Sequence, residues 1–470
     1  MTDDIGQTTG ALAEYLSKVT FADLPDEVIE RARWHLLDTL GCIAYGLETP
    51  WVGAVVDALG DLGEIGHGPA SIPTTGIAVS PARATLVGGT AAHAMDFDDY
   101  CQDAGVHAGS AVLPAIFARA ETRDEPVDGR AALTAMAAAT EVGIRTGYGI
   151  GRGSLARGWH IAGWTGAVAG AAAASVLGGL DRETTAHAIA IAATQGAGLM
   201  GATYGASVKR FHMGKAAESG YLGAILADNG LTGDTKLFKD RWGSISTTMA
   251  ADGDPGAVTD ALGERYTLLE TLTLKPYPSV GQTHPAITGV ESILTETEIN
   301  GEDVDTVEVH VTDAAKDKSG WEYEPTGVMA AQSNIQYAIA TLLLEGRLSV
   351  HDYTDEAIRR PAVLDRVDDI TVRADDALVT DASDYNARYA TRVIVQTRDG
   401  DRHERRISVP KGFPENPLSP SQLEAKFRDQ AGAVLDSSAV ETAIDRVADL
   451  EACTDVTDLL TILRDGRPQG

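Results

Sequence analysis

The chain has 470 residues, 44% of them apolar, and a length of this kind predicts two or three domains, or one large domain with a smaller one attached. Its formal net charge of −30 would repel phosphate backbones, so we expect no nucleic-acid partner. The acids are spread along the whole chain, which favours general adaptation to high salt over a single acidic interaction surface.

Helical patterns dominate residues 8–270. After Leu24-Pro25-Asp26, apolar residues recur at helical spacing as far as Gly46. Further alanine-rich helices are predicted at 82–95, 130–148, 161–178, 183–200 and 212–229. Their small side chains indicate compact helix packing. The run at 163–180 is mostly alanine and glycine, and it is less hydrophobic than a membrane span requires, so we expect a core helix and no membrane partner.

The pattern changes near residue 271. Short runs that alternate apolar and polar side chains, which is typical of β-strands, follow at 304–312, 368–374 and 388–397. Helical stretches lie among them at 284–297 and 330–345. Asp399-Gly400 separates the third alternating run from a fourth, which predicts a β-hairpin. We therefore predict a smaller α+β domain over residues 271–409.

Residues 410–470 return to a helical pattern. Ser419-Pro420-Ser421-Gln422 resembles a capping box with proline at the first helical position, and it predicts a helix. A helical tail of this length is short for an independent core, so we expect it to rejoin the first domain. The predicted fold is mainly α, with residues 1–270 and 410–470 in a large all-helical domain and residues 271–409 in a smaller α+β domain.

The densest group of chemically active side chains lies in the segment HAMDFDDYCQDAGVHAGSAVLP, which begins at His93. His93, Asp96, Asp98, Asp99 and His107 fall within fifteen residues and have apolar, alanine-rich surroundings. Burying ionised groups is costly unless they are paired or used, so we interpret the segment as the lining of a functional pocket. The alternative is a structural network, in which His93 is a core histidine and the two later aspartates cap helix or loop amides.

Four further clusters contain candidate residues. His160 precedes an alanine-rich helix, whose positive N-terminus would lower the imidazole pKa and favour a neutral base. Lys209, Arg210 and His212 concentrate positive charge in an acidic chain, which indicates an anion site. The remaining candidates, at and beyond the predicted domain junction, are Lys275, His284 and Tyr323.

Signals for metals, thiolates and targeting are weak. The H-x-x-D-x-D-D run at His93 could ligate a hard cation, but the usual ligand spacings are missing, so we expect no metal. Cys42, Cys101 and Cys453 are scattered, which predicts neither a disulfide framework nor a thiolate-bound metal cluster. The N-terminus lacks the basic and apolar regions of a secretory signal, so we expect a cytoplasmic protein.

The chain resembles the MmgE/PrpD family, which includes 2-methylcitrate dehydratases and cis-aconitate decarboxylases. The matching motifs include HAMDFDDY at His93, GWHIAGWTG at Gly158, KRFHMGKAAESG at Lys209, KPYPSVGQTH at Lys275 and PKGFPENPLSPSQLEAKF at Pro410, and they run almost from end to end. The resemblance implies a large helical domain with a smaller α+β lid and an active site in the cleft between them. It also implies a homodimer and no metal or organic cofactor.

The resemblance and the clusters together assign roles to ten residues. The catalytic residues are expected to be Asp96, His107, His160 and Lys209. Substrate binding is expected from Tyr100, Arg210, His212, Lys275, His284 and Tyr323. One of the two cavity imidazoles would act as base and the other as acid, with Asp96 orienting one of them. The basic side chains would bind substrate carboxylates.

The reaction implied is dehydration of a small polycarboxylate, such as 2-methylcitrate or citrate, as in the methylcitrate cycle of propionate catabolism. Three departures from the family pattern leave other reactions open. Tyr100 replaces a common threonine, Ala162 replaces a threonine or serine, and Val280 replaces a cysteine or, in the decarboxylase, a histidine. Decarboxylation or epimerisation of a di- or tricarboxylate on the same scaffold is one alternative, and a non-catalytic binding protein of this fold is another.

Overall fold

The first part of the chain folds mainly into helices, as its apolar spacing predicts. The computed structural model describes residues 6–101, 103–238, 243–250, 252–379 and 385–468. The helices of the first part are α1 (Gln7–Lys18), α2 (Asp26–Gly46), α3 (Pro50–Asp61), α4 (Pro81–Ala92), α5 (Gly109–Ala120), α6 (Gly129–Ile150), α7 (Gly153–Ala156), α8 (Ala162–Gly178), α9 (Arg182–Ala193), α10 (Val208–Asp228), α11 (Ile245–Thr248), α12 (Pro255–Thr259) and α13 (Thr267–Thr271). A short antiparallel hairpin, β1 (Ile65–Ser71) with β2 (Ala78–Val79), interrupts them and is not anticipated by the sequence pattern.

The alanine-rich helix α8 lies at the centre of this part. It packs against α5, α6, α9 and α10, and most of its residues are buried. The approach to α10 is so close that a Cβ atom added to Gly220 would stand 2.5 Å from the carbonyl oxygen of Ala167. Small side chains therefore set the spacing of these helices, which confirms the compact packing expected from the sequence. Within the described ranges, every helix, α8 included, is too short or too polar to traverse a bilayer.

Two of the helix boundaries that differ from the prediction bear on the cavity described below. Helix α9 ends at Ala193 rather than near residue 200, because glycines follow it and Gly198 has a φ of +130°, which a helix does not accommodate. The Gly198 carbonyl instead accepts a hydrogen bond from the His160 backbone amide at 3.0 Å. Helix α10 begins earlier than predicted, at Val208, so Lys209 lies in its first turn.

The smaller part contains a four-stranded sheet with the order β4-β3-β5-β6. Its elements are β3 (Val304–Val311), β4 (Ile370–Ala374), β5 (Thr391–Thr397), β6 (Arg402–Ile407), α14 (His284–Thr297), α15 (Asp313–Ser319), α16 (Val328–Gln332), α17 (Ile335–Glu345) and α18 (Pro361–Val367). Strand β3 pairs parallel to β4 and antiparallel to β5, and β5 and β6 form the hairpin predicted at Asp399-Gly400. The helix predicted over 330–345 is split, because Asn334 caps α17 by accepting a hydrogen bond from the Tyr337 amide.

The C-terminal helices pack on the first helical part. They are α19 (Pro420–Ala431), α20 (Ser437–Ala448) and α21 (Asp458–Asp465), and α19 begins with the predicted capping box. Helix α19 lies against α2, where the buried Lys426 ammonium lies 2.6 Å from Asp38 Oδ1. The same ammonium donates to the Phe97 carbonyl at 2.7 Å. The tail therefore contacts the segment that the sequence marks as a pocket, while the domain boundaries at 270 and 409 stay predictions.

Two apolar cores meet at this segment. The larger core joins the first helical part to the C-terminal helices and includes Leu36, Leu133 and Phe427. The smaller core surrounds the sheet, and it includes Met95 and Phe97 although both come from the first part of the chain. These two side chains therefore anchor the segment between the two parts of the molecule.

Replacing Lys426 with methionine is expected to destabilise the protein by about 3–5 kcal/mol, because the Asp38 carboxylate would be left buried without its partner. Burial raises the pKa of Asp38, and the charge of Lys426 opposes this effect. In the variant the carboxyl group would bind a proton more readily as pH falls, so the loss should be smaller in mild acid than above neutral pH. Urea unfolding of the wild type and of Lys426→Met, from mild acid to above neutral pH, measures this loss of unfolding free energy.

The matched control is Arg428→Met on the same helix. Arg428 pairs with Glu424 and Glu441 at the surface, so its loss should leave the unfolding midpoint nearly unchanged. Equal losses in the two variants would contradict the role given to the buried pair.

Candidate active site

A cavity of about 1130 Å³ lies between the helical part and the smaller part. Of the residues predicted for the site, its lining includes Asp96, Tyr100, His107, His160, Lys209 and Lys275. The two histidines lie just before α5 and α8, and Lys209 lies on α10. Segments that are far apart in the sequence therefore converge on one cavity.

Asp96 is the centre of a buried cluster of charges. Lys209 Nζ lies 2.7 Å from Asp96 Oδ2, and Lys275 Nζ lies 2.5 Å from Oδ1. Arg210 Nη1 lies 3.3 Å from Oδ2. Asp96 itself has a φ of +54°, in the left-handed region that residues other than glycine rarely adopt. Three cations thus share one carboxylate, which leaves positive charge uncompensated within the cluster.

The charges in this cluster compete with the cost of burial. Burial by itself would raise the pKa of Asp96, but the three cations, Lys209 foremost, outweigh it and hold that pKa well below its ordinary value. Burial lowers the pKa of Lys209 to about 8, although Asp96 favours the charged ammonium. Lys209 is therefore mostly protonated at neutral pH, and it loses its charge in mild alkali.

Asp98 holds two imidazoles. Its Oδ2 atom lies 2.9 Å from His93 Nδ1 and 3.2 Å from His107 Nδ1, and it accepts a 2.6 Å hydrogen bond from Ser110 Oγ. Burial raises the pKa of Asp98, but the two imidazoles outweigh it, so the pKa stays well below its ordinary value. The ionised carboxylate therefore orients His107, whose Nε2 atom is left for the cavity.

His160 belongs to a second histidine pair. Its Nδ1 atom lies 3.0 Å from Nδ1 of His212, so Nε2 is the ring nitrogen left for the cavity. Burial, and next the charge of Lys209, hold the pKa of His160 well below its ordinary value. This confirms the direction predicted from the start of α8, although burial and a neighbouring ammonium are the causes. His160 is therefore neutral at neutral pH and able to accept a proton.

Arg210 and His212 are not part of the cavity lining, and their contact with substrate stays a prediction. Arg210 contacts Asp96 and donates from Nη2 to Gln332 Oε1 at 2.7 Å. His212 contacts His160. Both residues therefore support side chains that line the cavity. Gln332, which no sequence motif singles out, belongs to the same buried network.

His284 and Tyr323 are not brought to the cavity lining either. His284 is fully buried, and its Nε2 atom lies 3.1 Å from the Ser279 carbonyl oxygen. Tyr323 packs in the smaller core and donates its hydroxyl hydrogen to the Ile358 carbonyl at 3.1 Å. His284 Nε2 and the Tyr323 hydroxyl therefore contact backbone inside the smaller part, away from the cavity lining, and the binding roles of these two residues stay predictions.

Asp99 and His93 hold the local structure. Asp99 accepts hydrogen bonds from the Ala108 and Gly109 amides, each at 2.9 Å, at the start of α5. His93 is fully buried and does not line the cavity. The structural alternative therefore fits these two residues, whereas Asp98 acts on the cavity through the imidazole that it holds.

Three basic residues of the lining carry no sequence motif: Arg152, Lys318 and Arg388. They stand apart from the predicted clusters, so only the tertiary fold brings them to the cavity. Over the part of the chain that the structure describes, the lining has five basic side chains and two acidic ones. The net charge of the cavity lining is therefore positive, although the whole chain has a net charge of −30. A positive lining favours an anionic ligand.

The residues that replace the family pattern also line the cavity. Val280 and Ala162 place apolar atoms on its wall. Tyr100 places a phenol there, and burial raises its pKa well above the ordinary value, so the hydroxyl stays protonated and able to donate. These three positions therefore distinguish this cavity from the family pattern where a substrate would lie.

One group in the site has the spacing of metal ligands. His93, Asp98 and His107 each offer a ligand atom within 4.8 Å of the others. The carboxylate already lies within bonding distance of both imidazoles and of Ser110, so these contacts account for the group without an ion. We therefore assign no metal to it.

Known proteins of similar sequence match the chain over nearly its whole length. Residues 10–254 match the family model of the MmgE/PrpD N-terminal domain, and residues 277–452 match that of the MmgE/PrpD C-terminal domain. The cis-aconitate decarboxylase-like protein oryM of Aspergillus oryzae is 30% identical over 97% of each chain. Cis-aconitate decarboxylases of Aspergillus terreus and Homo sapiens are 29% and 27% identical, over 97% and 98% of this chain and 95% of each of theirs. The chain belongs to the MmgE/PrpD family.

Proposed function

We propose that the protein is a lyase that acts on a small polycarboxylate by proton transfer at two cavity histidines. The observation that carries this proposal is that His107, His160 and Lys209 line one cavity, which is basic although the chain is acidic. Ammonium groups there can bind carboxylates and stabilise the negative charge that develops on a reacting substrate. The imidazoles can supply the acid and the base.

Elimination of water from citrate or 2-methylcitrate would use these groups directly. Neutral His160 would remove the proton next to a carboxylate through Nε2, and the electron pair would stay on the substrate, facing Lys209. His107, oriented by Asp98, would protonate the departing hydroxyl group. Asp96 would carry no proton, because its pKa is held low, and it would position the ammonium groups.

Loss of carbon dioxide is the second candidate, and the names of the relatives favour it. The full-length relatives are named cis-aconitate decarboxylase or decarboxylase-like. In such a reaction the carbon–carbon bond breaks, the carbanion faces the ammonium groups and an acid protonates it. Val280 cannot supply that proton, although the family pattern has a histidine there in the decarboxylase, but the protonated Tyr100 hydroxyl on the same cavity could.

The protein should turn over at least one of citrate, 2-methylcitrate and cis-aconitate. Proton NMR of the products, with trapping of carbon dioxide, at low and high salt, distinguishes elimination of water from decarboxylation.

Lys209→Ala should lower kcat/KM by about 10²-fold or more, because the developing negative charge loses an ammonium partner.

Lys215→Ala is the matched control for this experiment. Lys215 lies on the same helix but is exposed and pairs with Glu218, so the variant should keep wild-type activity. Tight binding of these acids without turnover would identify a binding protein and refute the lyase.

The affinity for a polycarboxylate should fall as pH rises through about 8, because Lys209 then loses its charge. KM should rise over this range, and Lys209→Arg, whose side chain keeps its charge, should move the rise to higher pH. On the acid side, kcat should persist below the ordinary histidine pKa of 6.5, because His160 stays neutral there. Profiles of kcat and KM against pH at constant ionic strength measure both effects, and a KM that is constant through this range would contradict the role of Lys209.

A further inference from the structure

The contact between His160 and His212 has a geometry suited to proton transfer. The two Nδ1 atoms lie 3.0 Å apart, and the ring centroids lie 5.1 Å apart with 49° between the planes. Two ring nitrogens at this distance require one hydrogen between them, so one ring donates and the other accepts. Gly198 makes room for the pair, because a Cβ atom there would stand 2.9 Å from His212 Nδ1 and 3.1 Å from His160 Cβ.

The two rings have different surroundings. His160 lines the cavity and is only 6% exposed. His212 lies on the second turn of α10, outside the lining, and is half-buried. The pair therefore connects a buried ring on the cavity lining with a ring that is partly exposed.

A positive charge is less favourable on His160 than on His212. Burial lowers the pKa of His160 most, and the charges of Lys209, His93 and His107 lower it further. The pKa of His212 is also lowered, by its smaller burial and by Lys209. Transfer of a positive charge from protonated His160 to His212 therefore lowers the free energy of the pair.

We propose that His212 relays protons between His160 and the solvent, an inference that rests on the proposed lyase function. In elimination, His160 Nε2 accepts the substrate proton while the electron pair of the broken C–H bond stays on the substrate. The Nδ1 proton of His160 passes to Nδ1 of His212, and His212 releases its Nε2 proton to water, so both rings end neutral. In decarboxylation the same pair can work inward and deliver a solvent proton through His160 to the carbanion, as the alternative to donation by Tyr100.

His212→Asn separates a relay from a purely structural contact. An amide oxygen can accept the hydrogen bond from His160 Nδ1, but an amide does not carry a proton at neutral pH. We expect kcat to fall by about 10²-fold, the range of general acid–base effects, with KM little changed. The activity lost in His212→Ala should return in part with added imidazole. His187→Phe, at a partly buried histidine on α9, is the matched control and should behave as wild type.

Wild-type kcat and an unchanged pH profile in His212→Asn would overturn the relay. A second measurement does not depend on turnover, namely the exchange of the His160 ring proton with water in protein labelled with ¹⁵N-histidine. Exchange of the His160 Nδ1 proton should be fast in wild type and slow in His212→Phe, because this nitrogen then loses the ring nitrogen that accepts its proton. Equal rates would overturn the relay even in an active enzyme. Exchange that depends on His212 in a protein that turns over no polycarboxylate would support the relay and refute only the proposed function.

Discussion

Asp96 and the cations around it form the constraint on which the arrangement of the cavity depends. The single negative charge of Asp96 balances only one of the three positive charges around it. Burying an ionised group whose charge is not balanced costs several kcal/mol of folding free energy. Met95 and Phe97 hold the segment on either side, because their side chains are buried in the smaller core. Lys426 holds the same backbone from the opposite direction. Asp96 lies between these two residues, and its left-handed backbone conformation turns its side chain away from the smaller core that they enter.

The uncompensated charge relates the fold to the proposed chemistry. A polycarboxylate would supply the counter-charge that the cluster lacks, and the same ammonium groups would face the negative charge that grows during the reaction. The two cavity imidazoles differ in what stands behind them. The ionised Asp98 carboxylate contacts His107 Nδ1 and orients that ring, whereas His212 contacts His160 Nδ1, and burial with the nearby Lys209 keeps His160 neutral.

Local patterns predicted most of the fold, since a feature such as the capping box at Ser419 depends only on neighbouring residues. Helix α9 was predicted too long, because its alanine-rich pattern does not reveal that Gly198 bonds to His160, a partner distant in the sequence. In the site, dense motifs located the residues around Asp96, whereas Lys318 belongs to none of these motifs and reaches the cavity only through the tertiary fold. Tyr323 has suitable chemistry, but its hydroxyl finds a partner in the interior.

The contact of Lys426 with Asp38 and the Phe97 carbonyl also has a consequence for synthesis on the ribosome. Phe97 leaves the exit tunnel 329 positions ahead of the residue that holds its carbonyl oxygen. Although N-terminal regions generally begin to fold first, the nascent helical part would keep an unpaired buried aspartate until α19 emerges. A translation intermediate arrested before that helix would therefore contain much of the helical scaffold while Asp38 and the Phe97 carbonyl still lack the ammonium of Lys426.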